Sequence, residues 1–233
     1  MKARFLAQKK SESTFLGGKT DHEVWGQLDP LERLSVLMAD ASYKEQRPEI
    51  IQGYKYDPEM SNKTLATYQN PQTKQVFISH RGTKPEKEDL YSDLHIATGM
   101  SKENDPRHVS NREQVNMIID KYADNEFIHT GHSLGGSQSK IFGREFGHKN
   151  INFNSGRGLD QFVGQGLMAN LNCLKPKAIR PKYCDPEVSR DIDIQGDIVS
   201  LIPSMYGSRK LIKSDIKWYD LLKKHKLSAF KPK

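Results

Sequence analysis

Cysteine is scarce. Cys173 and Cys184 are the only two in 233 residues, with no CxxC pair and no convincing metal-ligand spacing. That excludes a zinc-held or densely disulfide-stapled fold; two reduced thiols are expected, with a single disulfide as the alternative. No stretch approaches the roughly 20 apolar residues that a membrane-spanning helix requires. The opening segment, MKARFLAQKKSESTFLGG, carries positive charge without a continuous apolar stretch, so it does not read as a secretory signal. A cytoplasmic or virion-associated protein is therefore expected rather than a secreted one. Internal repeats and low-complexity tracts are also missing.

What remains suits a soluble chain with one full core: 35% of residues are hydrophobic and 28% charged. We expect an N-terminal arm or edge segment over 1–28 and a single domain over 29–233. The net charge of +7 is concentrated at one end, since residues 208–233 hold nine Lys/Arg and two Asp/Glu. Such a tail can sit on an anionic membrane surface, with Trp218, Tyr219 and Phe230 beside the charge, or it can be a solvated end. No aromatic-basic module supports specific nucleic-acid binding.

Apolar spacing predicts a helix over 29–44, opened by Asp29-Pro30, and two strands, 64–68 and 75–79, around Asn70-Pro71. A helix over 112–125 leads to a strand over 126–130, then a glycine turn and a second helix over 136–147. A strand over 151–156, a helix over 159–174, a strand over 188–196 and a last helix over 214–225 complete the series. Strands alternating with helices predict an α/β fold built from βαβ units on a mostly parallel central sheet.

The glycine turn carries the chemistry. In Phe127 to Phe142, FIHTGHSLGGSQSKIF, a strand runs into Gly-x-Ser-x-Gly and then into a helix. In that context Ser133 sits on a strained elbow, Gly131 and Gly135 permit close approach of strand and helix, and the Leu134 N–H points into the site. A serine hydroxyl needs a base. His132 adjoins Ser133 but should be turned away by the elbow, as a packing or orienting residue. In the order Ser, acid, His that accompanies this motif, only His148 and His225 follow the serine, and His148 lies a whole helix away. His225 is the candidate base. Asp197, after a predicted strand and the turn glycine Gly196, is the candidate acid, with Asp185, Asp191, Asp193 and Asp215 as runners-up.

Several separated segments resemble the class 3 lipases, a branch of the α/β-hydrolases: QVFISHRGTKPEKEDLYSDLHIATG, TGHSLGG, INFNSG, QGDIVS and HKLSAF. The resemblance spans about 29–230. It implies an α/β-hydrolase fold and makes Thr83 the second oxyanion-hole residue beside Leu134. It also implies a serine carboxylester hydrolase acting on lipid esters, of triacylglycerol lipase or phospholipase A1 type. The intermediate is an acyl-enzyme, and no metal or organic cofactor is implied. The chain departs from the pattern in having His80 where an apolar residue precedes RGT, and in a segment after Thr83 with little apolar surface. The rivals are a hydrolase-fold structural or membrane-associated component, viral among them, with little activity, and an acyltransferase.

Overall fold

The computed structural model describes residues 21–82, 106–156, 164–195, 197, 207–213 and 226–231. Eight strands lie in one sheet in chain order: β1 (Ile50–Ile51), β2 (Tyr54–Asn62), β3 (Leu65–Asn70), β4 (Gln75–His80), β5 (Glu126–His132), β6 (Lys149–Phe153), β7 (Ser189–Ile194) and β8 (Ser208–Ile212). The pairs from β1 to β4 are antiparallel and those from β4 to β8 parallel. The described helices are α1 (Asp21–Gly26), α2 (Pro30–Ala41), α3 (Pro106–Lys121), α4 (Leu134–Phe146) and α5 (Gly164–Cys173). A mostly parallel sheet flanked by helices is the expected architecture.

Local chemistry explains the elements that position the site. Helix α2 starts where Asp29 accepts from the Glu32 N–H at 2.8 Å and Glu32 accepts from the Asp29 N–H at 2.9 Å. This is a complete capping box, followed by Pro30 at the first helical position. Asn70 Oδ1 accepts from the amides of Gln72 and Thr73, closing the turn that joins β3 to β4. Helix α3 begins at Pro106 rather than Arg112, because proline suits a first turn that needs no amide donor.

Alternation along the strands then separates two cores. Val76 and Ile78 of β4 and Phe127 of β5 pack with Val115, Ile118 and Phe142 from α3 and α4. Phe77 and Ile128 face the other way, against Leu34, Met38 and Ala41 of α2. Farther along that second face, Ile151, Phe153, Ile192 and Ile194 pack with Val24, Leu28, Val36 and Ala39.

Four differences from the sequence reading have physical causes. The described part of the 1–28 segment is a helix, α1, and Val24 and Leu28 are buried in the core. Strands β1, β2 and β8, which lie towards the sheet's edges, carry no clear strand pattern in the sequence. Strand β2 contains Pro58 and is only partly buried, and in β8 only Ile212 is buried. Their pairing comes from neighbouring strands rather than from their own alternation.

The two cysteines are bonded, Cys173 to Cys184 with Cα atoms 5.4 Å apart, which overturns the expectation of free thiols. Two short 3₁₀ turns, Lys177–Ile179 and Lys182–Cys184, fold the intervening chain back on itself, something the spacing alone does not reveal. Finally, Phe230 is fully buried and meets Phe153 edge-on at 5.2 Å, so it cannot contact a membrane. Arg209, Lys210 and Lys231 in the same basic tail pair with Asp193, Glu32 and Asp40. Trp218, Tyr219 and the predicted helix over 214–225 lie outside the described residues.

Candidate active site

Ser133 occupies the junction between β5 and α4 with φ 56° and ψ −128°. A non-glycine residue in that region costs on the order of 1–3 kcal/mol and persists only where its surroundings over-determine it. Here they do: the Ser133 N–H donates to Phe153 O at 3.2 Å, and its carbonyl accepts from the amides of Ser137 and Gly156 at 3.2 and 3.1 Å. Its side chain does not cap the helix it precedes. The ordinary role of a serine at a helix start is thus not the one it fills.

The glycines around it are sterically required. A Cβ on Gly131 would lie 2.3 Å from the Gly135 carbonyl group, so strand and helix could not approach. A Cβ on Gly135 would lie 2.1 Å from His80 O, which means that the second glycine admits the end of β4 rather than β5. A third, Gly136, is needed against Ser155 after β6, where a Cβ would come within 2.8 Å of the serine Cβ. Three strand ends are therefore drawn together around the first turn of α4. Leu134 opens that turn, and its amide is one of the helix's first N–H groups, which lack an intrahelical acceptor.

The register places His80 beside Gly131, so the Arg81-Gly82 backbone leaves β4 next to the elbow. Arg81 N–H donates to Thr64 O at 2.9 Å, Arg107 of α3 donates to Arg81 O, and Gly82 N–H donates to the Tyr43 hydroxyl at 3.0 Å. Thr83 lies outside the described residues.

Asp197 follows β7 at the same sheet edge as Ser133, because β5, β6 and β7 run parallel. It is buried, and its N–H donates to Ile194 O at 3.0 Å. Of the other acids, Asp191 is held in a buried ion pair with Lys140 of α4, and Asp193 pairs with Arg209. Asp185 lies before β7, at the opposite edge. Asp215 and the candidate base His225 are outside the described residues, so the structure brings together Ser133, Leu134 and the two elbow glycines and sets Asp197 on the same edge. His148 precedes β6, where Lys149 pairs with Ile128 near the start of β5, at the edge away from Ser133.

His80, the departure from the lipase-like pattern, belongs to a column of three imidazoles. His80 Nε2 lies 3.0 Å from His129 Nδ1, and His129 Nε2 lies 3.1 Å from His148 Nδ1. The rings are stacked, with Phe142 and Phe127 alongside. Burial lowers all three below the ordinary imidazole range: His80 to about 3, with Arg107 and His108 adding to the effect, and His148 to about 4. His129 is driven well down by burial and by its two neighbours. A neutral His80 is stacked among aromatic rings and fills an apolar role. Tyr43, by contrast, gave no signal in the sequence, where it reads as one more residue near the end of the helix over 29–44. Among the described residues, no group of three or more His, Cys, Asp or Glu could hold a metal ion.

The consecutive, mostly parallel sheet and the strained serine between β5 and α4 define the α/β-hydrolase fold. No protein-family model matches the chain, and no curated protein sequence matches it. Several solved structures do. A nonglycosylated LIP2 lipase of Yarrowia lipolytica is 17% identical, with 85% of this chain and 83% of that one covered at a TM-score of 0.52. A lipase from Rhizopus microsporus var. chinensis is also 17% identical, over 80% of this chain and 75% of the other, at 0.52. A triacylglycerol lipase, its catalytic centre described as a serine protease triad, is 17% identical over 78% and 79% at 0.52. At such identity the likeness is one of fold, and at that level it agrees with the class 3 lipase resemblance carried by the motifs.

Proposed function

We propose that the protein is a serine carboxylester hydrolase acting on lipid esters. The observation that carries this reading is the backbone of Ser133, strained at a strand-to-helix turn and framed by glycines that no larger residue could replace. In the proposed reaction Ser133 Oγ attacks the ester carbonyl while His225 takes its proton, and Asp197 orients His225. The Leu134 amide and Thr83 stabilise the oxyanion. Collapse expels the alcohol, which receives the proton from His225. Water, deprotonated by the same base, then releases the acid from the acyl-enzyme.

Support for the lipid class comes from the fold shared with a triacylglycerol lipase and from motifs resembling class 3 lipases. The test compares wild type with Ser133→Ala on a short-chain chromogenic ester and on a panel of triacylglycerols and phospholipids. The variant should remain folded, lose turnover and lose labelling by a fluorophosphonate probe. Activity retained in the purified variant would remove the assignment. A wild type that does not label would favour a structural role, and transfer to added alcohols would favour an acyltransferase.

A further inference from the structure

Resting on the hydrolase reading above, we infer that Tyr43 is a positioning residue: its hydroxyl clamps the Arg81-Gly82 turn against the nucleophile strand and so fixes the backbone that leads into the proposed oxyanion donor. Tyr43 follows α2, 39 residues from Gly82 and 89 from His132. Its hydroxyl accepts from the Gly82 N–H at 3.0 Å. On its other side it lies 3.1 Å from His132 Nδ1 and 3.3 Å from His132 O, either of which can accept the hydroxyl proton. One oxygen thus joins the residue before Ser133 to the residue before Thr83.

The surroundings fit such a clamp. A Cβ on Gly82 would fall 2.2 Å from the Tyr43 hydroxyl and 2.7 Å from His132 O, so glycine is what lets the hydroxyl reach the amide. The turn is fixed at two further points, Arg81 N–H on Thr64 O and Arg81 O under Arg107. The Tyr43 contact ties it to His132 of the nucleophile strand, just past the β4–β5 ladder that pairs His80 with Gly131. Oxyanion stabilisation depends on donors held in place before charge develops, because a donor that must be ordered during the reaction loses most of its effect. Displacements of about 1 Å at such a site cost up to about a hundredfold in rate. Removal of the hydroxyl leaves the Gly82 amide without its partner and the turn free to shift. His132, through its Nδ1 and its carbonyl oxygen, is then the clamp's second anchor.

Tyr43→Phe tests this. With a water-soluble short-chain ester and active sites counted by fluorophosphonate titration, kcat should fall about tenfold to a hundredfold while KM stays within about twofold. The Gly82 amide should be strongly protected from hydrogen exchange in the wild type, a measurement that stands even if the variant does not fold. Unchanged kcat in folded Tyr43→Phe, a loss appearing in KM instead, or an unprotected Gly82 amide in the wild type would each overturn the clamp. Ser133→Ala, assayed alongside, separates the two readings. Activity surviving in Ser133→Ala defeats the hydrolase reading itself, whereas a dead Ser133→Ala beside a fully active Tyr43→Phe defeats only the clamp.

Discussion

The imidazole column makes folding stability steeply dependent on acid. In the folded protein, burial keeps His80, His129 and His148 neutral well below the ordinary imidazole pKa. In the unfolded chain each takes up a proton near pH 6.5. Depressed folded values mean that their contribution is fully present above about pH 6.5 and is lost as pH falls toward the folded values. Between pH 7 and pH 5 the folded rings stay neutral, so the loss is set by the unfolded imidazoles alone, at about 2 kcal/mol for each fully buried ring. His80 and His129 are fully buried, whereas His148 stands at the rim, and solvent screening reduces its share to about 1 kcal/mol.

The expected loss is therefore about 5 kcal/mol, a large part of the roughly 5–15 kcal/mol that holds a domain of this kind. Urea unfolding at intervals from pH 7.5 to pH 5 measures it. Near pH 5.5 each buried ring contributes a slope of about 1.2 kcal/mol per pH unit, and His129→Leu should remove one such contribution whatever it does to stability at pH 7. Asp57, which burial pushes up but hydrogen bonds from Lys121 and Tyr122 and from the Met60 amide together bring below the ordinary carboxylate range, titrates below this window and does not confuse it. An unfolding free energy that varies by less than about 1 kcal/mol between pH 7 and pH 5 would refute the reasoning.

Three further outcomes follow from the geometry. Because Ser133 is held at φ 56°, Ser133→Gly should be more stable than Ser133→Ala by about 1 kcal/mol, read from urea midpoints; equal midpoints would mean no strain is stored there. Gly135→Ala would put a Cβ 2.1 Å from a backbone oxygen that cannot rotate away, so it should destabilise by at least about 2 kcal/mol and abolish esterase turnover. A wild-type melting temperature and activity would contradict that. Replacing both Cys173 and Cys184 by serine should cost about 3 kcal/mol, and two thiols titrating in the native, unreduced protein would disprove the bond.

Legibility in the sequence followed the range of the forces involved. The Asp29-Pro30 helix start, the Asn70-Pro71 turn and the strand–turn–helix order around Ser133 are patterns of adjacent residues, and each could be read directly. A mostly parallel sheet followed from the alternation of strand and helix, and the α/β-hydrolase fold from the motifs that resemble class 3 lipases. The partly buried strands β2 and β8 could not be read in the same way. Polar residues and Pro58 disguise them, and they become strands because a neighbour offers unpaired backbone groups.

Side-chain environment was still less accessible. Asp191 and Asp193, an alternating acidic pair in the sequence, are buried and ion-paired because Lys140 and Arg209 are brought across from other elements. Three histidines scattered over 80–148 form a single neutral column only because β4, β5 and the start of β6 align in register. Tyr43 meets Gly82 and His132 across 39 and 89 residues. The sequence by itself determined which serine falls at a strand-to-helix junction and which helix follows it, since the strand pattern, the glycines and the helix pattern are carried by adjacent residues. Tertiary structure decided which distant groups surround that serine, because their meeting depends on strand register and on burial that only the assembled sheet creates.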